Sequence, residues 1–198
     1  AAGQPAYPWR GRITCDPAPG QPASPDGTAA AGTQVAAFLA QYRPFVLHYA
    51  TLAAAWAAAG IPLAGFILGS EFVGLTRVRA EAGRYPAVEG FRSLATALRQ
   101  RLGPDVALVY AADWTEYGAD VRDGGATVRF PLDALFADPA IDAVGIDYYP
   151  PLTDWRDGDA HADLALADSI YDPAYLKGRL GAGEAFDWFY AGAADRAA

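Results

Sequence analysis

The chain has 198 residues, of which 53% are hydrophobic and 19% charged, which suits one substantial core and argues against disorder over most of its length. Its formal charge of -8, with no cluster of lysine or arginine, offers nothing to neutralise a run of phosphates, so nucleic acid is not an expected partner. A single cysteine excludes an internal disulfide and a cysteine-rich zinc site, and Cys15 reads as a small packed apolar residue.

Residues 1–28 are rich in proline and glycine and predict mostly loop, with Arg12 to Cys15 a short strand. From Ala29 the spacing of Val35, Phe38, Leu39 and Tyr42 is helical. Pro44 reads as a restart, opening a second helix whose stripe of Phe45, His48, Tyr49, Leu52 and Trp56 is expected to pack inward, His48 with it. Gly60 and Pro62 supply the stop. The apolar stretch 44–70 is interrupted by His48, Gly60 and Pro62, so no membrane span is expected.

Leu63 to Leu68 is a short continuous apolar run of the kind found in strands covered on both faces. Pro86 opens a helix carrying Val88, Phe91, Leu94, Leu98 and Leu102, which Gly103 and Pro104 end. Val106 to Ala112 is a second strand and continues into Asp113-Trp114-Thr115-Glu116-Tyr117. A loop with Gly124 and Gly125 and a short helix near Pro131 to Phe136 lead to a third strand, Ile141 to Ile146. That strand runs into Asp147-Tyr148-Tyr149-Pro150-Pro151. The chain begins Ala1-Ala2, contains no methionine and lacks a secretion signal, and Ala191 to Ala198 has no cap or closing strand, so it reads as an excised piece.

Strands about forty residues apart and separated by helices predict βαβ units and a parallel sheet. No glycine-rich phosphate turn follows an early strand, which favours a barrel over a doubly wound sheet. A complete (β/α)8 barrel needs about 250 residues, so residues 1–198 are expected to form a partial TIM barrel whose later strands are missing.

Each strand ends in carboxylates or aromatics, where barrels keep their chemistry. Glu71 is the most informative, because it stands where the run 61–74, IPLAGFILGSEFVG, breaks into Gly69-Ser70 with nothing basic before Arg77. Glycoside hydrolysis uses two carboxyl groups flanking the scissile bond, one of them a proton donor. Glu71 suits that donor if the apolar residues Phe66 to Leu68 and Phe72 wall it in. The competing reading has Glu71 capping a helix or pairing with Arg77 or Arg79. Asp113, Trp114, Glu116, Tyr117, Asp147, Tyr148, Tyr149 and Trp155 form the expected sugar-binding rim, joined by Asp154. For Asp113 and Glu116 the alternative is turn formation or helix capping, and for the tyrosines and Trp155 it is closure of the mouth. The acidic stretch from Asp133 to Asp172 reads as a solvated loop. Its Asp157, Asp159 and Asp163 around His161 lack the glycine and closing glutamate of an EF-hand, so neither metal nor cofactor is expected.

Four segments carry a resemblance: RITCDPAPG at 12–20, GSE at 69–71, YAADWTEYG at 110–118 and DPAIDAVGIDYYPPLTDWRDG at 138–158. Together they resemble the TIM-barrel-like domain of gene transfer agents and related phage tail proteins, over nearly the whole chain. The resemblance implies a glycoside-hydrolase-like barrel within a tail-tip or baseplate polypeptide, carried in the tail of a phage-like particle and made in the bacterial cytoplasm. Its implied partners are cell-envelope polysaccharide and other tail or baseplate proteins. It further implies that Glu71 matches the acid/base glutamate on a fourth barrel strand, with 110–117 and 142–149 matching the fifth and sixth. Two departures from the wider enzyme clan stand out. Ser70 occupies the position of the asparagine that precedes the acid, and the second glutamate is expected on a seventh strand that the chain does not reach. Glu184 is the only late glutamate, flanked by glycines with no apolar strand before it. Residues 1–198 alone are therefore expected to be catalytically silent. A structural baseplate module without turnover and a carbohydrate-binding receptor module are the alternatives.

Overall fold

A computed structural model describes residues 8–149, 153, 155, 158 and 161–180. The expectations placed on Asp154, Asp157, Asp159, Glu184 and the Pro150-Pro151 pair lie outside the described residues. The chain divides into two compact units, Ala1–Asp147 and Tyr148–Ala198.

In the first unit the opening loop makes a 3-10 turn at Arg10–Arg12, and the strand predicted over Arg12 to Cys15 is absent, residues 13–15 belonging to no strand or helix. Cys15 is buried, its thiol donating to the Pro17 carbonyl at 3.4 Å. Helix α1 then runs unbroken from Ala29 to Ala58 through Pro44, against the expected restart. Proline deprives the Ala40 carbonyl of its helical donor, a cost of about 3 kcal/mol. Burial of Val35 on one side of it and of Val46, Ala50 and Ala53 on the other offsets that cost.

The buried positions 46, 50 and 53 turn the predicted stripe outward. Phe45, Tyr49 and Trp56 are 58%, 51% and 59% exposed, and His48 is exposed rather than packed. Helix α3, Pro86–Leu102, lies against α1, and a Cβ placed on Gly90 would sit 2.2 Å from Leu39 Cδ1. The glycine on α3 makes room there for Leu39, and on the later turns of α1 Ala50 and Ala53 go inward and the aromatics out.

Helix α3 follows its pattern closely, burying Val88, Phe91, Leu94 and Leu98 and leaving Leu102 partly buried against the core. Burying each of those four is favourable by about 1.5–3 kcal/mol. Its end is pinned by Arg99, which donates to the carbonyls of Gly103, Val106 and Ala140 and pairs with Asp142.

Strands β1 (Gly65–Ser70) and β2 (Ala107–Asp113) pair in parallel, with the short helix α2 (Val73–Thr76) following β1. The predicted glycine loop after β2 is instead a hairpin of β3 (Asp120–Arg122) and β4 (Thr127–Arg129), turned at Asp123–Gly125. Three-residue strands lie below the length at which alternation is legible. The hairpin is fastened by buried charge, since Arg122 pairs with Asp120 and Asp26, and Asp26 also takes Arg79. Helix α4 (Asp133–Phe136) precedes β5 (Ala143–Asp147), which pairs in parallel with β2, giving the order β1-β2-β5. Each of the three parallel strands extends one or two residues beyond its apolar run, taking Ser70, Asp113 and Asp147 into the ladder. Among the described residues the sheet does not close on itself, and Ile67 and Val144 are 61% and 54% exposed.

In the second unit a 3-10 turn spans Ala162–Ala165, and α5 (Pro173–Gly178) is capped by the Asp172 carboxylate, which accepts from Ala174 N and Tyr175 N. Asp163 takes the Tyr175 hydroxyl and pairs with Arg179. In the first unit Asp138 pairs with Arg92. The stretch expected to be a solvated acidic loop thus contains two buried, partnered aspartates, Asp138 and Asp163.

Candidate functional site

The site is built at the carboxyl edge of the parallel sheet. Asp113 and Asp147 are register partners on β2 and β5, and the Trp114 amide donates to the Asp147 carbonyl at 3.1 Å. On β1 the register slips between Ile67 and Gly69, a bulge at Leu68 whose carbonyl accepts the Tyr42 hydroxyl at 3.0 Å. The extra residue shifts the alternation, so Ser70 shares a face with Ala111 and, across β2, with Asp147. Its hydroxyl donates to Asp147 Oδ2 at 3.0 Å. Side chains at Ser70, Asp113 and Asp147 therefore address one side of the sheet.

Glu71 leaves that edge in the left-handed region, at φ 56. A non-glycine residue there stores of order 1–3 kcal/mol and persists only when its surroundings over-determine it. They do so on both sides of the residue. The Glu71 amide donates to the Ala111 carbonyl at 2.9 Å, and the Phe72 amide donates to the Tyr110 hydroxyl at 3.1 Å. Tyr110 passes its own proton to Glu116 Oε1 at 2.7 Å, which also takes the Thr76 hydroxyl at 2.8 Å, while Oε2 accepts the Asp113 amide at 3.1 Å. Burial pushes the Glu116 carboxyl above its ordinary range despite these donors. The Tyr110 phenol lies well above its own, through burial first and the Glu116 charge second, so it remains a donor at neutral pH.

Neither competing role expected of Glu71 is present. Arg79 pairs with Asp26, Arg77 donates to the Thr115 carbonyl at 2.7 Å, and α2 starts without a side-chain cap. Half-buried, the Glu71 carboxylate instead accepts the Trp9 indole N–H at 2.8 Å. Trp9 lies over Gly11, where a Cβ would fall 2.4 Å from the ring, and the neighbouring Arg10 reaches Ser70 Oγ at 3.4 Å. Of the walls expected around Glu71, Leu68 and Phe72 are buried, and Phe72 joins an aromatic cluster with Phe38, Tyr42 and Phe91.

The expected rim divides. Glu116 is 1% exposed and engaged at both oxygens, which makes it an internal anchor beneath the edge. Asp113 is buried as well, its Oδ1 accepting the Thr115 amide in a local turn. Trp114 is half-buried, Tyr117 is exposed and Asp147 is half-buried. Tyr148, Tyr149 and Trp155 belong to the second unit. Tyr148 and Tyr149 are largely exposed there, whereas the Trp155 ring packs 4.7 Å from His161 and 5.9 Å from Tyr175. No three His, Cys, Asp or Glu side chains among the described residues converge as they would on a metal ion. No described helix is long and apolar enough to cross a membrane.

Residues 40–198, four fifths of the chain and the whole of the described sheet, match the GTA TIM-barrel-like domain. The chain belongs to that family. Membership ties it to gene transfer agents, which are phage-like particles, and agrees with a mixed α/β fold built on a parallel three-stranded sheet. No curated protein and no solved structure matches the chain. Trp9 and Arg10 lie outside the part of the chain that matches this GTA domain, and the sequence gives no short-range sign that they fold back onto Glu71.

Proposed function

We propose that this domain is a glycoside-hydrolase-like module of a gene transfer agent tail protein that acts on cell-envelope polysaccharide, with Glu71 as general acid/base. The observation that carries this reading is the left-handed Glu71 at the tip of β1, held by backbone and phenol hydrogen bonds that the core anchors through Glu116. Strain of this kind on a carboxylate at a sheet's carboxyl edge is characteristic of functional sites. The half-buried Asp147, on the same edge and oriented by Ser70, is the described carboxylate best placed to contact substrate beside it. Asp113 and Glu116 are committed to internal bonds and act as supports. The resemblance expects the second catalytic carboxylate on a seventh strand, and exposed Tyr117 and half-buried Trp114 supply aromatic faces for pyranose rings.

The test compares the full-length domain, including the later strands, with its Glu71→Gln variant on cell-wall and capsular glycans. Hydrolysis predicts reducing-end release that the variant loses while it keeps binding. Equal binding without product in both forms would favour a glycan receptor. Neither binding nor product would favour a structural baseplate module, a reading that the Trp9 bond on the Glu71 carboxylate supports.

A further inference from the structure

We propose that a cavity between the opening loop and α2 binds an oxyanion, a carboxylate or phosphate, carried on a ligand with an apolar face. The cavity measures about 610 Å³, within the size range of small-ligand sites. Arg12 and Arg77 line it together with Thr14, Pro19 and Val73. Its construction is specific. A Cβ on Gly74 would lie 2.7 Å from the Gly11 carbonyl oxygen and 2.8 Å from that of Ile13, so the loop sits directly on α2. Arg12, between those two carbonyls, is thereby held at the cavity wall.

The positive charge of Arg12 and Arg77 is not balanced by a carboxylate at the cavity wall, in a chain of net charge -8. Arg79, Arg84, Arg92, Arg99 and Arg122 each pair with an aspartate or glutamate. Arg12 and Arg77 have no carboxylate partner among the described residues, although Asp120 also lines the cavity, because Arg122 neutralises it. Arg77 spends one N–H on the Thr115 carbonyl, and its Nε is buried without a partner. The Thr14 hydroxyl on the same wall is likewise buried and unpaired. Buried polar groups left unmatched are uncommon and call for a reason, and guanidinium groups favour planar oxyanions. Two cations are too few for a nucleic acid, and an inorganic ion would leave the Pro19 and Val73 wall unused. An acidic saccharide unit uses both. The inference stands on the cavity alone and is independent of any hydrolysis at Glu71.

Calorimetric titration of the 198-residue chain with a galacturonate trisaccharide, glycerol phosphate and a neutral galactose trisaccharide tests it. One or both acidic probes should bind, more weakly as salt rises, and Arg12→Gln should reduce affinity at least about tenfold, as expected for a charge-assisted contact. Preference for the trisaccharide assigns an acidic sugar, and preference for glycerol phosphate assigns a phosphorylated unit. Arg12 is exposed, so its variant folds, and Arg77→Gln, checked by circular dichroism, should weaken binding as well. Failure of both acidic probes at millimolar concentration, equal binding of the neutral sugar, or unchanged affinity in both variants would overturn the proposal.

Discussion

Replacing Tyr110 with phenylalanine isolates the bonds that hold Glu71 in its left-handed conformation. The ring keeps its place 5.3 Å from Phe91, so packing is preserved and only the hydroxyl is lost. Two interactions go with it: the 2.7 Å bond to Glu116 and the acceptor for the Phe72 amide at 3.1 Å. A hydrogen bond to a charged group contributes about 1.5–3 kcal/mol, and a buried donor left unpaired costs about 1–3 kcal/mol. Because the two share one atom they do not add fully, and the expected loss is about 3 kcal/mol. Tyr42→Phe is the matched control. It removes a single neutral bond to the Leu68 carbonyl and should cost about 1 kcal/mol. Urea unfolding at neutral pH, with both variants keeping the parental m-value, gives the two numbers. If Tyr110→Phe costs no more than Tyr42→Phe, the chain of bonds from Glu116 to Phe72 does not restrain the strand tip, and the reasoning about Glu71 fails with it.

Glu71→Gly should be more stable than Glu71→Ala by about 1 kcal/mol, since both lose the Trp9 bond and only glycine is relaxed at φ 56; the opposite order in thermal melts would rule out a strained Glu71. Gly90→Ala should destabilise by about 1–3 kcal/mol through its clash with Leu39, and adding Leu39→Ala should recover part of that loss in a double-mutant cycle. The raised Glu116 carboxyl means that the fold binds this proton more tightly than the unfolded chain does. The stability it contributes is therefore complete below the ordinary glutamate range and is lost as pH rises through the folded value. The parent should gain stability relative to Glu116→Gln on acidification from neutral pH, and a pH-independent difference in urea midpoints would contradict the shift.

The parallel sheet was legible because its three strands are apolar runs ended by glycine, serine and carboxylates, and α3 because Pro86 and Gly103 bracket a regular stripe. What escaped was decided by packing at a distance. Hydrophobicity alone puts Phe45, Tyr49 and Trp56 inside, yet in the later turns of α1 the face of Val46, Ala50 and Ala53 is the buried one. Pro44 signals a break, but burial on both sides of it carries α1 through. At the site, the position of Glu71 could be inferred from where its strand ends. Its partner Trp9 lies 62 residues earlier, and the burial of Glu116 depends on Thr76 and Tyr110 meeting beneath the edge, neither of which local spacing records.

The bulge at Leu68 has a consequence for how chemistry travels between related strands. Alternation along a strand is a two-state phase, and one additional amino acid inverts it for everything downstream. Leu68, the additional residue, is committed to the core, while the last residue of β1 is set by the inverted phase to share the face of Asp113 and Asp147. A strand that kept every residue but paired without the bulge would set Ser70 opposite Ala112, on the helix-covered side, and break the link to Asp147 with every nearby letter unchanged.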